Sequence, residues 1–262
     1  MFDQDKLLNH LHREEDRMLG SHILDKCEQV LKYHKTQATD FLNPYQREIA
    51  EKLIEQIAEI NYKKEGGYSA AERKRIVIFP EYLFPDLVEK QIKVYQLDGN
   101  FAFQKLTHRD FLGALMGLGL QRKVIGDILV HSDFAQIIVA VEVQDIIELK
   151  LKKVHQIPVD VKEINEDDIV KPTRHEKEIL TTVASMRLDS VASSGFGDSR
   201  SKMSRDIENE KVKLNWKIES DPAAEVEIGD LISVRGRGRV KVESERGISN
   251  KGRIKLTLKR LT

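Results

Sequence analysis

The sequence predicts an α+β fold: an N-terminal helical region over residues 1–70, a ferredoxin-like α/β sandwich module over 71–165, and a C-terminal unit over 178–262 of two short helices packed on a small β-sheet. Three observations carry this. Leucines and isoleucines recur at helical spacing in the first part. From Arg75 the pattern changes to short runs of Val and Ile separated by two helical stretches. Near the C-terminus, two short amphipathic segments precede an alternating strand and a basic hairpin.

The elements follow in order. Leu7, Leu8, Leu11, Leu19, Ile23 and Val30 lie at loose helical intervals among charges. Asn43 is a suitable N-cap and Pro44 suits the first helical position. Ile49, Leu53, Ile57 and Ile60 then form one stripe, which Gly66-Gly67 is expected to stop. The runs RIVIFP, IKVYQL, DILVH and AQIIVAVEV read as strands. Between the second and third, Thr107 with Asp110 three positions on predicts a capped helix, its apolar face carried by Phe111, Leu112, Leu115 and Met116. VQDIIELKLKKV reads as a second helix and IPVDVKEI as another strand. Strands and helices in this alternation predict the ferredoxin-like layer. Asn165 to Thr173, acidic and then proline-bearing, reads as a linker.

Composition narrows the function classes. The 262 residues hold 43 Lys plus Arg and 43 Asp plus Glu, so net charge names no partner. Its distribution does: Leu231 to Thr262 contain ten Lys and Arg against Glu243 and Glu245 alone, a local attraction for polyanions. A single cysteine, Cys27, fits a reducing compartment. The polar N-terminus shows no secretory signal, and no apolar run is long enough for a membrane span. A soluble, cytoplasmic monomer is expected.

No catalytic residue, metal site or cofactor is predicted. His10 and His12 fall on different helix faces, and no cysteine accompanies them. His108-Arg109-Asp110 matches a kinase catalytic loop only in isolation, since every other kinase motif is missing. Gly236 to Arg239 lacks the spacing of a phosphate loop. Gly113 to Gly119 reads as close packing at a helix end followed by a turn. Arg122 and Lys123, just past that turn, together with His108 and Arg109, make a possible second RNA surface.

The most informative stretch runs from Arg187 to Trp216. Leu188, Val191 and Ala192 predict a short buried helix side, and Ser199 or Ser201 caps a second helix carrying Met203 and Ile207 inward. Arg200 stands at that helix's start, where free N–H groups and the helix dipole favour an anion. In KVKLNW, Val212, Leu214 and Trp216 face one way and Lys211, Lys213 and Asn215 the other, so helix and strand cations are expected to merge into one basic surface. Trp216 either packs inward or offers a stacking surface. In the final strand, Ile254, Leu256 and Leu258 alternate with Arg253, Lys255 and Lys259.

Arg187-Leu188-Asp189, Ser199-Arg200, Val212-Lys213-Leu214-Asn215 and Gly229-Asp230, in this order and spacing, resemble the S-four RNA-binding domain. Glu210 and Trp216 depart from it, standing where that family usually has glycine. With HRDFLGALMGLGLQRKVIGDI and the helical N-terminal region, the whole chain resembles the bacterial YlmH family. The resemblance implies an α+β RNA-binding module ahead of the S-four domain. It also implies association with the ribosomal large subunit, its rRNA and peptidyl-tRNA in ribosome-associated quality control, and a genetic link to cell division. The family's basic contacts carry over to Arg187, Arg200, Ser201, Lys202, Arg205, Lys211 and Lys213; Asn215 on the same strand face is expected to join them, and composition adds Arg235, Arg237 and Arg239. Two alternatives stand beside this non-catalytic reading. One is an RNA-modifying enzyme of the pseudouridine-synthase type, whose Gly-Arg-Leu-Asp motif is echoed with Met186 in the glycine position. The other is a scaffold for division proteins.

Overall fold

The structure, a computed structural model, describes residues 2–101, 106–171 and 176–261. The chain forms two compact units, Met1–Pro172 and Thr173–Thr262.

The first unit opens with helices α1 (Gln4–Leu8) and α2 (Glu14–Tyr33), strand β1 (Gln37–Ala38) and helix α3 (Pro44–Ile54). The Asn43 cap is present: its Oδ1 accepts from the Gln46 N–H at 2.9 Å, and Gln46 Oε1 accepts from the Asn43 N–H at 3.1 Å. The predicted run of that helix to Gly66-Gly67 is not. Helix α3 ends at Ile54, Glu59 adopts a left-handed φ of 68°, and Ile60–Glu65 is strand β2. Six paired residues against β3 (Arg75–Pro80) decide this, because long-range strand pairing outweighs a local helical spacing of isoleucines. All six residues of β3 are buried, and it joins the sheet β1-β3-β2 rather than the following one. Helices α2 and α3 cover this sheet through Leu24, Cys27, Val30, Leu53 and Ile54 on Ile76 and Ile78. Burial pushes the Cys27 thiol up to about 12.

Next come β4 (Ile92–Gly99), α4 (His108–Gly117), β5 (Ile125–Val130), β6 (Phe134–Ala140), α5 (Gln144–Lys150), β7 (Lys153–Val154) and β8 (Ile157–Glu163). The sheet order is β5-β6-β4-β8-β7 with antiparallel neighbours throughout. Leaving aside the short β7, this is the strand order of a βαββαβ ferredoxin-like module, the class expected; the order itself is not legible in the sequence. Thr107 starts α4, its N–H and Oγ1 both donating to Asp110 Oδ2, at 2.8 and 2.7 Å. Phe111 and Leu115 are buried as expected, whereas Met116 is exposed. Gly119, at φ 87°, makes the anticipated turn. Close packing at Gly113 and Gly117 is absent: a Cβ on either would meet nothing within 4 Å. The predicted second helix stops at Lys150, and Lys153 already belongs to β7.

Both faces of this sheet are covered. On one, Phe111, Leu115 and Ile147 of α4 and α5 pack on Tyr95, Leu97, Ile137 and Val139. On the other, Phe41, Tyr68 and Ile169 pack on Ile92, Val94, Ile138 and Ala140. Polar contacts reinforce that second face. Arg75 donates to both carboxylate oxygens of Glu142 at 2.6 Å, and Asp127 accepts from the Tyr68 hydroxyl and the Glu72 and Arg73 N–H groups at 2.8–3.0 Å. The linker read at Asn165–Thr173 contains a 3-10 turn at Glu166–Asp168; its Pro172 and Thr173 lie outside the described residues.

The second unit comprises β9 (Glu176–Val183), α6 (Leu188–Phe196), α7 (Arg200–Glu208), β10 (Val212–Leu214), β11 (Lys217–Ile218), β12 (Leu231–Val234), β13 (Gly238–Ile248) and β14 (Ile254–Leu261). Its sheet runs β11-β10-β12-β13-β14-β9. Val191, Met203 and Ile207 of the helices pack against Val212, Ile232, Val240 and Leu258. Among the described residues no helix is long and apolar enough to cross a membrane.

Candidate nucleic-acid interface

The start of α6 hangs on the 222–226 loop: the Leu188 N–H donates to Ala224 O at 2.8 Å and the Asp189 N–H to Pro222 O at 3.1 Å. This turns the Asp189 side chain, 5% exposed, towards the start of α7. Two arginines grip it. Arg187 donates through Nε (3.3 Å) and Nη2 (3.1 Å), and Arg200 through Nη2 (3.1 Å), its Nε standing 3.0 Å from Oδ2 as an ion pair. Burial alone would raise this carboxyl; the bonds from Arg187 and then Arg200 outweigh it and hold it below the usual carboxylate range. The two guanidiniums remain about half exposed, so each keeps donors for an external acceptor.

A second carboxylate repeats the arrangement. Asp198, in the turn closed by Gly197 at φ 68°, takes Lys202 at 3.2 Å and an ion pair from Arg237. Arg237 also donates to Phe196 O at 3.1 Å and lies over the Phe196 ring. It therefore fastens the β12–β13 hairpin to the end of α6, while Arg235 on the same turn is exposed. Ser199, not Ser201, caps α7, its Oγ accepting from the Lys202 N–H at 3.3 Å. Ser201 and Arg205 lie exposed on that helix. Lys211 is drawn back to Asp206 at 3.2 Å.

The single merged surface is not formed. Register places Lys213, Ser233 and Arg239 side by side across β10, β12 and β13, while Val212 and Leu214 point to the helices. Lys213 and Arg239 thus lie on the sheet face away from α6 and α7. Nor does the alternation run to Trp216: β10 ends at Leu214, and Asn215 and Trp216 form the turn to β11 at φ 48° and 66°. Trp216 sits half-buried on that turn. Asn215 serves the turn itself, donating to Asp230 at 2.7 Å and accepting from the Leu231 N–H at 2.9 Å. Glu210 has φ 57°, so both positions that depart from the family's glycines are left-handed, the conformation glycine adopts without strain.

Of the second predicted surface, His108 and Arg109 are exposed at the start of α4 and Lys123 lies 3.8 Å from Asp40. Arg122 does not join them. It turns inward to Ile125 O and to Gly126 O (3.1 Å), and burial, then the neighbouring Arg73, lowers it to about 10. What lies beside Arg109 instead is a lysine set that sequence reasoning left inside a helix: Lys150, Lys152 and Lys153. Among the described residues no group of three His, Cys, Asp or Glu side chains is placed to hold a metal.

Comparison with known proteins bears on the same parts. Residues 15–83 match the family described as "YlmH, N-terminal", 85–168 match "Putative RNA-binding domain in YlmH", and 186–232 match the S4 domain. A curated protein of Bacillus subtilis (strain 168), "Ribosome-associated protein quality control protein P2", is 32% identical over 248 residues, covering 95% of this chain and 96% of its own length. The solved "Cell division protein ylmH from Streptococcus pneumoniae" is similar at TM-score 0.53 and 26% identity, over 61% of this chain and 96% of that one.

Proposed function

The chain belongs to the YlmH family, and on that premise we propose that it is a non-catalytic RNA-binding protein of ribosome-associated quality control. In this reading it docks as a monomer on structured RNA of the ribosomal large subunit together with peptidyl-tRNA. The quality-control role comes from the name of the Bacillus subtilis relative. The observation that carries RNA binding is the pair of carboxylate-held cation sets, Arg187 and Arg200 on Asp189 and Lys202 and Arg237 on Asp198. Guanidiniums fixed in position, with Arg187 and Arg200 still about half exposed, suit phosphates at defined spacing, as on a folded RNA.

Asp189 supports the non-catalytic reading. Both its oxygens accept from Arg187 and lie 3.0–3.1 Å from Arg200, an arrangement that suits a structural anchor better than a nucleophile. Crosslinking the protein to RNA in cells and sequencing the attached fragments tests the proposal. Fragments concentrated in large-subunit rRNA and tRNA are expected; an even spread over messenger RNA would overturn it. Asp189→Asn should leave the cellular pseudouridine pattern unchanged.

A further inference from the structure

Residues 85–168 match a family described as RNA-binding; we propose where on that module the RNA lies, a groove of about 540 Å³ between α4 and the α5–β7 turn that takes the sugar–phosphate backbone. It lies in the other compact unit from the S-four face and extends the proposed function, on which it rests.

Charge is the first argument. Arg109 lines one side of the groove and Lys150, Lys152, Lys153 and His155 the other. The acid among the lining residues is Asp110, whose Oδ2 is already held by the Thr107 N–H and hydroxyl. Lys152 donates to its own helix at Glu148 O, 2.9 Å, and its charge is undiminished by that bond. Four full cations on a concave wall attract a polyanion.

Shape is the second. Gly113 and Gly117 lie on the groove side of α4, one turn apart. Glycine inside a helix costs about 0.8–1 kcal/mol relative to alanine, and here it relieves no internal contact, since a Cβ at either position meets nothing within 4 Å. The open space lies over helix backbone, where a chain from outside can approach closely.

Exclusion is the third. RNA-recognition modules of related topology stack bases on an open sheet face. Here that face is sealed by Phe41, Tyr68 and Ile169, and Gln136 on it is hydrogen-bonded to Asp168 O (3.0 Å) and the Val170 N–H (2.8 Å). The helix side is what this module has to offer.

The test uses the full chain and a fluorescein-labelled RNA hairpin with a single-stranded tail, titrated over a fourfold range of salt. Lys150→Glu with Lys153→Glu should weaken binding about tenfold or more and reduce the slope of log affinity against log salt by about two. Gly113→Glu, which fills open space with a better helix former, should weaken binding about fivefold or more with no fall in melting temperature. Unchanged affinity and slope in both variants would overturn the groove. If the same variants lose affinity for poly-glutamate while RNA binding is intact, the groove serves an acidic protein and the proposal fails. Failure of the groove leaves the S-four reading standing when Arg200→Ala still weakens RNA binding; a wild-type chain that ignores RNA removes both.

Discussion

The arginines around α6 and the lysines around α4 are both basic sets, but they are held in opposite ways. Arg187 and Arg200 share the buried Asp189, and Lys202 and Arg237 share Asp198. Lys150, Lys152 and Lys153 extend from an exposed helix end and a two-residue strand. A cation on a carboxylate loses much of its long-range field and has its rotamer freedom removed in advance, which favours geometric selection. A cation on a free stem keeps its field and freedom, which favours fast, salt-sensitive attraction. If both proposed contacts hold, the second unit selects its RNA and the first captures it electrostatically.

Breaking the anchored set at its centre has the largest expected effect. Asp189→Ala leaves two arginines side by side without their counter-charge, and about 2–3 kcal/mol of stability should be lost, less than for a fully buried pair because both guanidiniums are half exposed. Urea unfolding measures it. The folded-state value of this carboxyl is depressed, so its contribution is complete above the unfolded value of about 3.9 and is lost as pH falls through the folded value. Asp189→Asn should flatten the acid limb of the stability curve below about pH 4.

Arg122 tests whether a cation in a basic stretch need belong to either set. Arg122→Ala should cost about 2 kcal/mol, because two backbone carbonyls lose their donor, and should leave RNA affinity unchanged. Denaturation and binding titrations separate the two; a drop in affinity without a drop in stability would return Arg122 to the surface.

Arg200→Ala sharpens the comparison on the binding side. It should weaken RNA binding by about 1.5 kcal/mol, more than Arg253→Ala, where an exposed side chain donates to Thr182 O at 2.8 Å. Melting should fall modestly for Arg200→Ala, since Asp189 keeps Arg187. Equal small losses of affinity would mean that anchoring confers no advantage.

The smallest effect concerns strain. Glu210→Gly should stabilise the second unit by about 1 kcal/mol, the release from a left-handed φ, measured as a rise in urea midpoint with unchanged slope. A fall would mean that the Glu210 side chain makes up for its backbone.

Local signals made much of this legible. Asn43-Pro44 and Thr107 with Asp110 set two helix starts, because capping chemistry is decided within four residues. The S-four motifs located Asp189 and Arg200, but Asn215, read as an RNA contact, instead pairs with Asp230. What was hidden is non-local. Ile57 and Ile60 kept helical spacing with α3, yet Ile60 is a strand residue because β3 lies beside it. Lys153 read as the end of a helix, and only folding brings it to Arg109. Arg122 and Lys123 are adjacent in sequence and face opposite ways, which no charge count reveals.

The sealed sheet face also bears on how such a protein can be recombined. A gene fusion that began the middle module at residue 85 would strip Phe41 and Tyr68 from Ile92, Val94, Ile138 and Ala140, and cut Arg75 from Glu142. The product would display an apolar sheet face and an unpaired carboxylate, and it should aggregate. The second unit has no such debt, its core being drawn from its own residues between Ile179 and Leu258. Transplanted onto another protein it should arrive folded, whereas the first 172 residues can travel only as a whole.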